Sequence, residues 1–383
     1  MVLQKSPERA VVWGYGPEGE QIFNSSRELN LTSQFPNVRV FMAGRNQSDQ
    51  EMDDLAQVQQ GWSVPTKASV EGFSALCWIF GRLMFANLKH PVGLVQSCWG
   101  GTIVETWSSS RALRQCGLDQ DQVPRTRWEN RNSALWNAMI HPFLKMTLKG
   151  AIWYQGESNT KVNLEAYNCS FPAMIADWRS SFHRAGETPL DFPFGFVQVA
   201  TGMKDITGYR TGSLADIRWL QTAGTGYAPN PAMNKTFMAV AMDLLDDMSP
   251  FHPVHPRDKY TVAHRLWLGA RAVAYDQKDV HFLGPYPRGI TSDDHSLNIT
   301  YDQVLTICCP EVKAPCNTTS PWIPAPVLGR SSAGVQVSTA ACPSPRQVAA
   351  VRYAWTDEPC SYKACLVYSA VGDLPAPPFT ISL

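Results

Sequence analysis

The sequence lacks an excess of charge of either sign. Its 383 residues include 33 Lys and Arg and 33 Asp and Glu, so the formal net charge is zero. Proteins that attract nucleic acid or anionic membrane surfaces carry a basic excess, so we expect no nucleic-acid partner. The sequence also lacks any apolar run of the ~18 residues that a membrane-crossing helix needs. We therefore predict no membrane span.

The cysteines lack the paired C-x-x-C spacing that is typical of a structural zinc site. There are ten of them, and the later ones are clustered along the chain. These later cysteines are Cys169, Cys308, Cys309, Cys316, Cys342, Cys360 and Cys365. Disulfides formed in an oxidising compartment fit this pattern better than a metal site.

The amino terminus, MVLQKSPERAVVWG, lacks the apolar core of a secretion signal. That absence predicts a cytosolic chain, whereas glycosylation sequons point to the secretory route. The sequons open at Asn24, Asn30, Asn46, Asn168, Asn234, Asn298 and Asn317. The absence of a secretion signal and the presence of the sequons therefore point to different compartments.

Short apolar runs alternate with helical patterns over the first part of the chain. The runs that we predict as buried parallel strands are Val38–Met42, Val92–Val95, Ala151–Tyr154, Phe194–Val199 and Phe237–Met242. Helical spacing lies between them, in the face formed by apolar residues from Phe73 to Leu88 and in the segments ALWNAMIHPFLKM, FPAMIADWRSSF and DKYTVAHRLWLGARAVAY. Strands separated by helices predict an α/β fold with a doubly wound parallel sheet.

After about residue 279 the residue pattern changes from helical to strand-like. The segments LNITYDQVLTICC, AGVQVSTAAC and QVAAVRYAWT are rich in β-branched residues and are separated by Pro, Gly and Ser. This pattern predicts an antiparallel β region at the carboxyl-terminal end.

Polar side chains follow two of the predicted strands directly. SCWGGT, from Ser97 to Thr102, carries two glycines whose N–H groups could form an oxyanion hole, although a plain strand-to-helix turn fits equally well. WYQGESN, from Trp153 to Asn159, offers amide donors and also Glu157, either a base or a structural carboxylate. In an open α/β fold, ligands bind at this edge of the sheet.

A third polar stretch, DLLDDMSPFHPVHPRDK, follows the strand that ends at Met242. It carries acidic residues and two histidines before a predicted helix. His255 is held by Pro256 and the helix start, so it is a candidate general base, with a structural histidine as the alternative.

The three stretches, in this order, resemble the sialate O-acetylesterase family of SGNH hydrolases. The resemblance rests on SCWGGTIVETWSS, LWNAMIHPF, GAIWYQGESN and VHPRDK, and it continues through YNCSFPAMIADWR, FPFGFVQV, MAVAMDL and LPAPPF. It implies a flavodoxin-like sheet and hydrolysis of O-acetyl esters on sialic acid glycans. It also implies a lysosomal or secreted full-length protein with no metal and no organic cofactor. The oligomeric state stays unknown.

The resemblance assigns roles to individual residues. His255 takes the position of the base, and the backbone of Gly100 and Gly101 takes that of the oxyanion hole. Gln155 or Asn159 is implied as a side-chain oxyanion donor. The acid that orients the base is open. Asp243 and Asp246 match acidic positions of the family, whereas His252 stands where many SGNH enzymes have Asp.

The chain departs from the family pattern near its amino end. The GQSN block that carries the family's nucleophilic serine occurs nowhere in the sequence. We therefore expect residues 1–20 to be the remnant of an amino-terminal β domain, 21–278 an incomplete esterase domain and 279–383 the carboxyl-terminal β region. We also expect one central strand to be missing, between Val38–Met42 and Val92–Val95. Such a shortened chain would resolve the conflict between sequons and signal.

These departures leave three readings of function. The first is that the chain is an esterase of this family and is inactive because it lacks the nucleophilic serine. The second is a non-catalytic form that binds glycans or regulates, and the third is an unstable splice product. Ser97 and Ser158 are the hydroxyls nearest the predicted site, but neither matches the family's nucleophile, which needs a base within ~3 Å.

Overall fold

We describe the chain from a computed structural model. It describes residues 22–118, 130–202, 213–293, 295–307, 312–314, 322–340 and 348–383. The predicted remnant at 1–20 lies outside these ranges, as do Asn317, Cys308, Cys309, Cys316 and Cys342.

Helices and strands alternate up to residue 274, and strands dominate afterwards. The α-helices are α1 Ser25–Leu31, α2 Lys67–Glu71, α3 Ala75–Leu88, α4 Ser110–Gln115, α5 Tyr167–Ala185, α6 Ser213–Leu220 and α7 Lys259–Ala274. The strands of the first part are β1 Val38–Ala43, β2 Val58–Ser63, β3 Val92–Gln96, β4 Ala151–Trp153, β5 Phe194–Gln198 and β6 Thr236–Val240. Each of the predicted parallel strands is therefore present.

The parallel strands form two separate sheets. One is a 3-stranded sheet in the order β2-β1-β3, and the other is a 3-stranded sheet in the order β4-β5-β6. All neighbours are parallel except β2, which runs antiparallel to β1 at the edge. The sequence did not reveal β2, because most of its side chains are exposed and give no buried apolar pattern.

The prediction that a strand is missing between β1 and β3 is wrong. No strand separates β1 from β3, since the two pair directly in parallel from Val38 opposite Val92 to Met42 opposite Gln96. In this register the backbone N–H and C=O groups on the facing edges of β1 and β3 bond to each other. Within the described residues, the sheets are instead interrupted between β3 and β4, which do not pair.

Helices cover both faces of these sheets. On one face, α3 and α7 pack with Val40, Leu94 and Ile152 in one buried cluster. On the other face, α5 packs with Ala151 and Trp153 in a second cluster. Because successive strand residues point to opposite faces, β4 contributes to both clusters. This is the layered arrangement that the alternating pattern predicted.

One predicted helix is much shorter than expected. The segment ALWNAMIHPFLKM forms a π-helical turn at Trp136–Ile140 and a 3-10 turn at His141–Phe143. Pro142 lies in the first positions of the second turn and removes a backbone donor, which favours a break in the helix. Helices α3, α5 and α7 are confirmed as predicted.

The carboxyl-terminal region is an antiparallel β structure, as predicted. Its strands are β7 Pro287–Ser292, β8 Ser296–Tyr301, β9 Leu305–Ile307, β10 Val312–Ala314, β11 Ile323–Ala325, β12 Val327–Ser331, β13 Gly334–Ser338, β14 Ala350–Tyr353, β15 Val367–Ser369 and β16 Phe379–Ser382. They form sheets in the orders β12-β13-β8-β7, β11-β10-β14-β16 and β15-β9. Phe379 and Val337 belong to the same buried cluster as Trp153 and α5, so this region shares a core with the α/β part.

Disulfides join Cys116 to Cys169 and Cys360 to Cys365. The first ties the end of α4 to the start of α5. Cys77 and Cys98 are free and buried. In the part of the chain that the structure describes, no helix is both long and apolar enough to cross a membrane.

Candidate functional site

The three polar stretches follow the carboxyl ends of parallel strands. Ser97–Thr102 follows β3, Tyr154–Asn159 follows β4, and the loop that contains His255 connects β6 with α7. Strands β4 and β6 flank β5 in one parallel sheet, so their carboxyl ends lie on the same edge. Ligands of open α/β folds bind at this edge.

A buried hydrogen-bond network joins the first two stretches. The Asn159 Oδ1 atom accepts from the Val104 N–H at 2.9 Å, and Gln155 Nε2 donates to the Thr102 carbonyl at 3.2 Å. Asn159 Nδ2 donates to Glu105 Oε2 at 2.9 Å. The glycine turn and the WYQGESN stretch are therefore held together as one unit.

The two predicted oxyanion amides lie inside this network. Gln155 Nε2 also donates to Asn159 Oδ1 at 2.7 Å, while Gln155 Oε1 accepts from the Tyr167 hydroxyl at 3.0 Å. Both amide side chains are buried. In this structure they support the loops of the site. Burial raises the pKa of the neighbouring Glu105, and hydrogen bonds from Asn159 and Asn163 partly oppose that rise.

The glycine turn is open to solvent. Gly101 is exposed and Gly100 is half-buried. Gly101 has φ +78, a left-handed conformation in which glycine lacks the steric penalty of other residues. The Thr102 hydroxyl donates to the Trp99 carbonyl at 2.7 Å and closes the turn. A ligand could therefore approach the backbone at these glycines.

The nearby serines differ in accessibility. Ser97 is completely buried, and its hydroxyl donates to the Met139 carbonyl at 2.8 Å. Ser158 is half-buried in the 3-10 turn Glu157–Thr160. Ser97 is thus occupied as a structural donor.

The loop between β6 and α7 holds His255 through its backbone. The His255 N–H donates to the His252 carbonyl at 2.9 Å, and the Ser249 hydroxyl donates to the His255 carbonyl at 2.7 Å. His255 is half-buried, whereas His252 is exposed. Asp258 caps α7 by accepting from the Thr261 N–H at 2.9 Å. The predicted base thus lies in a loop that is fixed on both sides.

The two candidate acids form ion pairs with arginines. Asp243 is fully buried and binds Arg265 through two contacts of 2.6 and 2.8 Å. Asp246 binds the Arg257 side chain at 2.8 Å and also accepts from the Arg257 N–H at 2.9 Å. Burial would raise the pKa of Asp246, but the hydrogen bonds from Arg257 outweigh it and hold that pKa below its ordinary value. Sequence analysis missed both arginine partners.

A lysine lies beside the WYQGESN stretch. The Lys259 ammonium lies 5.3 Å from the centre of the Tyr154 ring. Burial lowers the pKa of Lys259 to about 8, although the acidic Glu157, Asp258 and Asp246 oppose the change. Within the described residues the buried Tyr154 hydroxyl has no hydrogen-bond partner. The lysine of VHPRDK is therefore a polar feature of the site that sequence analysis left without a role.

The carboxyl-terminal region contacts the loops at the carboxyl edge of the sheet that contains β5 and β6. Fully buried Arg218 of α6 donates to the Ala200 carbonyl after β5 and to the Asp357 carbonyl, at 2.8 and 2.9 Å. Tyr362 donates to Asp258 at 2.6 Å, and the Lys363 N–H donates to the Asp243 carbonyl at 2.6 Å. These contacts join residues that are far apart in sequence, so no local pattern could have indicated them.

Comparison with known proteins identifies two matching family models and a solved structure of the same fold. Residues 29–218 match the family model described as carbohydrate esterase, sialic acid-specific acetylesterase. Residues 289–383 match the model described as sialate O-acetylesterase C-terminal domain. A solved carbohydrate acetylesterase from Xanthomonas citri shares the fold, with a TM-score of 0.80 and 24% identity over 99% of this chain and 79% of that one.

Curated relatives are similar over most of their length. The chain is 46% identical to a sialate O-acetylesterase of Pongo abelii and 45% identical to one of Homo sapiens, in each case over 94% of this chain and 71% of the relative. It is 44% identical to one of Mus musculus, over 94% of this chain and 74% of the relative. The chain therefore belongs to the sialate O-acetylesterase family.

Proposed function

We propose that this chain retains the base His255, the glycine turn and the WYQGESN stretch of an esterase for O-acetylated sialic acids, and that it does not hydrolyse these esters by itself. The observation that carries the proposal is the state of Ser97. This serine precedes the glycine turn, yet its hydroxyl is buried and bound to the Met139 carbonyl. The GQSN block is absent from the sequence, and Ser97 does not replace it.

The mechanism we propose for a form that carries the serine block follows serine esterase chemistry. The serine oxygen attacks the acetyl carbonyl while His255 takes its proton. The tetrahedral oxyanion lies against the Gly100 and Gly101 backbone. His255 then returns the proton to the departing sugar oxygen, and water activated by His255 releases acetate from the acyl-enzyme.

Supporting roles follow from the contacts around these groups. Gln155 and Asn159 bind the segment after the glycine turn, so we propose that they set its position. A direct oxyanion contact by either amide would require one of these bonds to break. Asp243 and Asp246 act through Arg265 and Arg257, which fix both ends of the loop that contains His255.

A glycan-binding form without catalysis is the second candidate. It is favoured by the hydrogen bonds of Asn159 with Val104 and Glu105, which hold the segment after the glycine turn against the WYQGESN stretch. Lys259 offers a cation beside them, suited to the carboxylate of sialic acid. Saturable binding of 9-O-acetylated sialic acid without acetate release would support this candidate, whereas absence of binding would remove it.

The family resemblance and the surface support a secretory route for the full-length protein, lysosomal or secreted. The sequon residues Asn24, Asn30, Asn168 and Asn234 are exposed, and Asn46 and Asn298 are half-buried. The Cys116–Cys169 and Cys360–Cys365 disulfides fit an oxidising compartment. Expressed behind a secretion signal, the chain should show a mass loss on treatment with peptide N-glycosidase.

The proposed inactivity of the chain is tested by measuring acetate release from 9-O-acetyl sialic acid and from an aryl acetate. Purified chain should release no acetate above the buffer background. Turnover that Ser97→Ala or Ser158→Ala abolishes would overturn the proposal, because it would identify a nucleophile in this chain.

A further inference from the structure

A short loop of the carboxyl-terminal region, closed by a disulfide, lies against the loop that contains His255. Its ends, Cys360 and Cys365, are joined at a sequence separation of 5. We call residues 360–365 the disulfide loop. The residues at its tip, 361–363, are exposed, so they add little to the buried core. The contacts of this loop are instead polar, and they lie at the candidate site.

The disulfide loop contacts both ends of the loop between β6 and α7. At the first end, the Lys363 N–H donates to the Asp243 carbonyl at 2.6 Å. At the second end, the Tyr362 hydroxyl donates to Asp258 Oδ2 at 2.6 Å, and the Lys363 ammonium pairs with the same oxygen at 3.0 Å. His255 lies between these two ends, so the disulfide loop restrains the segment that carries it.

Asp258 connects the disulfide loop with α7. Its carboxylate caps the helix by accepting from the Thr261 N–H at 2.9 Å, and it also accepts from Tyr362. Burial would raise the pKa of Asp258, but hydrogen bonds, first among them the one from Tyr362, hold that pKa below its ordinary value. Bonds to an ionised acceptor are stronger than neutral ones. Because only two residues separate Asp258 from His255, a displacement of Asp258 would move the backbone at His255.

The two described disulfides differ in the length of chain that they close. The Cys116–Cys169 bond has a sequence separation of 53, whereas that of Cys360–Cys365 is 5. A cross-link restricts the unfolded chain more when it closes a longer loop, so the short disulfide loop contributes less to overall stability. Its main effect is on local shape, which presents Tyr362 and Lys363 to the loop between β6 and α7.

We propose that Tyr362 is a positioning residue for His255, that it acts through Asp258, and that the Cys360–Cys365 disulfide holds Tyr362 in place. The hydroxyl fixes the carboxylate at the start of α7, and thereby the backbone from which the His255 ring projects. The role of that ring as a base rests on the proposed function, whereas the restraint of the loop by Tyr362 does not.

NMR of the chain isotope-labelled at histidine tests this restraint. The Cε1–H resonance of His255, assigned with His255→Gln, reports the surroundings of its ring. Tyr362→Phe should shift or broaden this resonance, and it should make amide exchange in residues 243–258 at least ~5-fold faster, as expected when a loop loses a restraint. Tyr260→Phe, which deletes a hydroxyl in the first turn of α7, should change neither. An unchanged resonance and exchange rate in Tyr362→Phe would overturn the proposal.

A second background tests the route through Asp258. Asp258→Ser keeps a capping side chain that is shorter and uncharged, so Tyr362→Phe in this background should cause no further change at His255. An equal change in both backgrounds would show that Tyr362 acts by another route and would overturn the proposal. If Tyr362→Phe unfolds, Lys363→Met, which removes the other contact to the same carboxylate oxygen, takes its place. An unchanged His255 resonance in that variant would overturn the proposal equally.

Paired serine variants test the part played by the disulfide. Cys360→Ser with Cys365→Ser should shift the His255 resonance in the same direction as the hydroxyl deletion. Cys116→Ser with Cys169→Ser should lower the urea midpoint more and leave that resonance unchanged. Equal shifts in the two pairs would show that the resonance reports only general destabilisation, which would overturn the proposal. No turnover is needed for these measurements, so acetate release by the chain would count against the proposed function alone.

Discussion

Asp243 and Arg265 form a buried ion pair at the carboxyl end of β6, with two contacts of 2.6 and 2.8 Å. The Tyr368 hydroxyl also donates to Asp243, at 3.2 Å. The pair therefore links the strand, α7 and the carboxyl-terminal β region. The family resemblance left Asp243 open as the acid that orients the base, and its contacts with Arg265 and Tyr368 also anchor the loop after β6.

Removing the arginine should destabilise the protein. Arg265→Met leaves Asp243 buried without its cation, and such losses cost about 3–5 kcal/mol. Urea unfolding should show this decrease in the free energy of unfolding. Arg271→Met on the same helix should cost less than 1 kcal/mol, a rough figure for surface-type contacts. Equal effects of the two substitutions would contradict the anchoring role.

Asp246 should contribute to stability at neutral pH and lose that contribution in acid. Its pKa is lowered in the folded state, so folding favours the ionised form, and the benefit is present above the unfolded-state pKa of about 3.9. It disappears as the pH falls through the lower, folded-state pKa. Asp246→Asn should therefore destabilise the chain at pH 7, and the difference from wild type should shrink below about pH 4.

Urea unfolding of both proteins between pH 7 and pH 3 measures this difference. Asp53→Asn, at an exposed position, serves as the control and should show a small, flat difference. A difference for Asp246→Asn that is as large at pH 3 as at pH 7 would show that ionisation of Asp246 is irrelevant.

Lys259 should make the free energy of unfolding rise with pH in the alkaline range. Its folded-state pKa is lowered to about 8, so between about pH 8 and the unfolded value of about 10.4 the unfolded chain binds more protons than the folded one. The free energy of unfolding then rises with pH in this window. Subtracting the same curve for Lys259→Met should isolate the rise, and a flat difference curve would refute the lowered pKa.

The free thiols should resist alkylation in the folded protein. Burial raises the pKa of Cys98 to about 11 and raises that of Cys77 as well. Iodoacetamide at pH 8 should therefore leave both cysteines unmodified, since the thiolate is the reactive form. In urea both should react, and peptide mapping by mass spectrometry distinguishes the two. Rapid native labelling of Cys77, which lies on α3, would contradict the packing of that helix.

The sequence indicated the strands and the helices best where the pattern was local. Apolar runs such as Phe194–Gln198 are buried throughout, and α7 begins at its capping Asp258. The edge strand β2 and the pairing of β1 with β3 depend on contacts between distant segments, which periodicity does not encode.

In the candidate site, too, local features were predictable from the sequence and contacts between distant segments were not. The glycine turn and His255 were proposed from short stretches with distinctive residue types, and their roles stay predictions. The role of Asn159 as a bridge to Glu105 was missed, because the bond joins residues that are far apart in sequence. Arg218 was missed for the same reason, since its carbonyl partners include Thr356 in the carboxyl-terminal region.

The central claim is that this chain has the base His255 and the surrounding loops of an esterase site and lacks the family's serine block. Restoring that block tests the claim most directly. The serine-containing segment of the Homo sapiens relative would be joined ahead of Gln21, and kcat for 9-O-acetyl sialic acid would be measured with and without His255→Ala. We predict turnover by the restored chain and a fall of at least ~100-fold in the variant, as for loss of a general base, with unchanged thermal unfolding. A folded but inactive restored chain, or near-normal kcat in His255→Ala, would contradict the account.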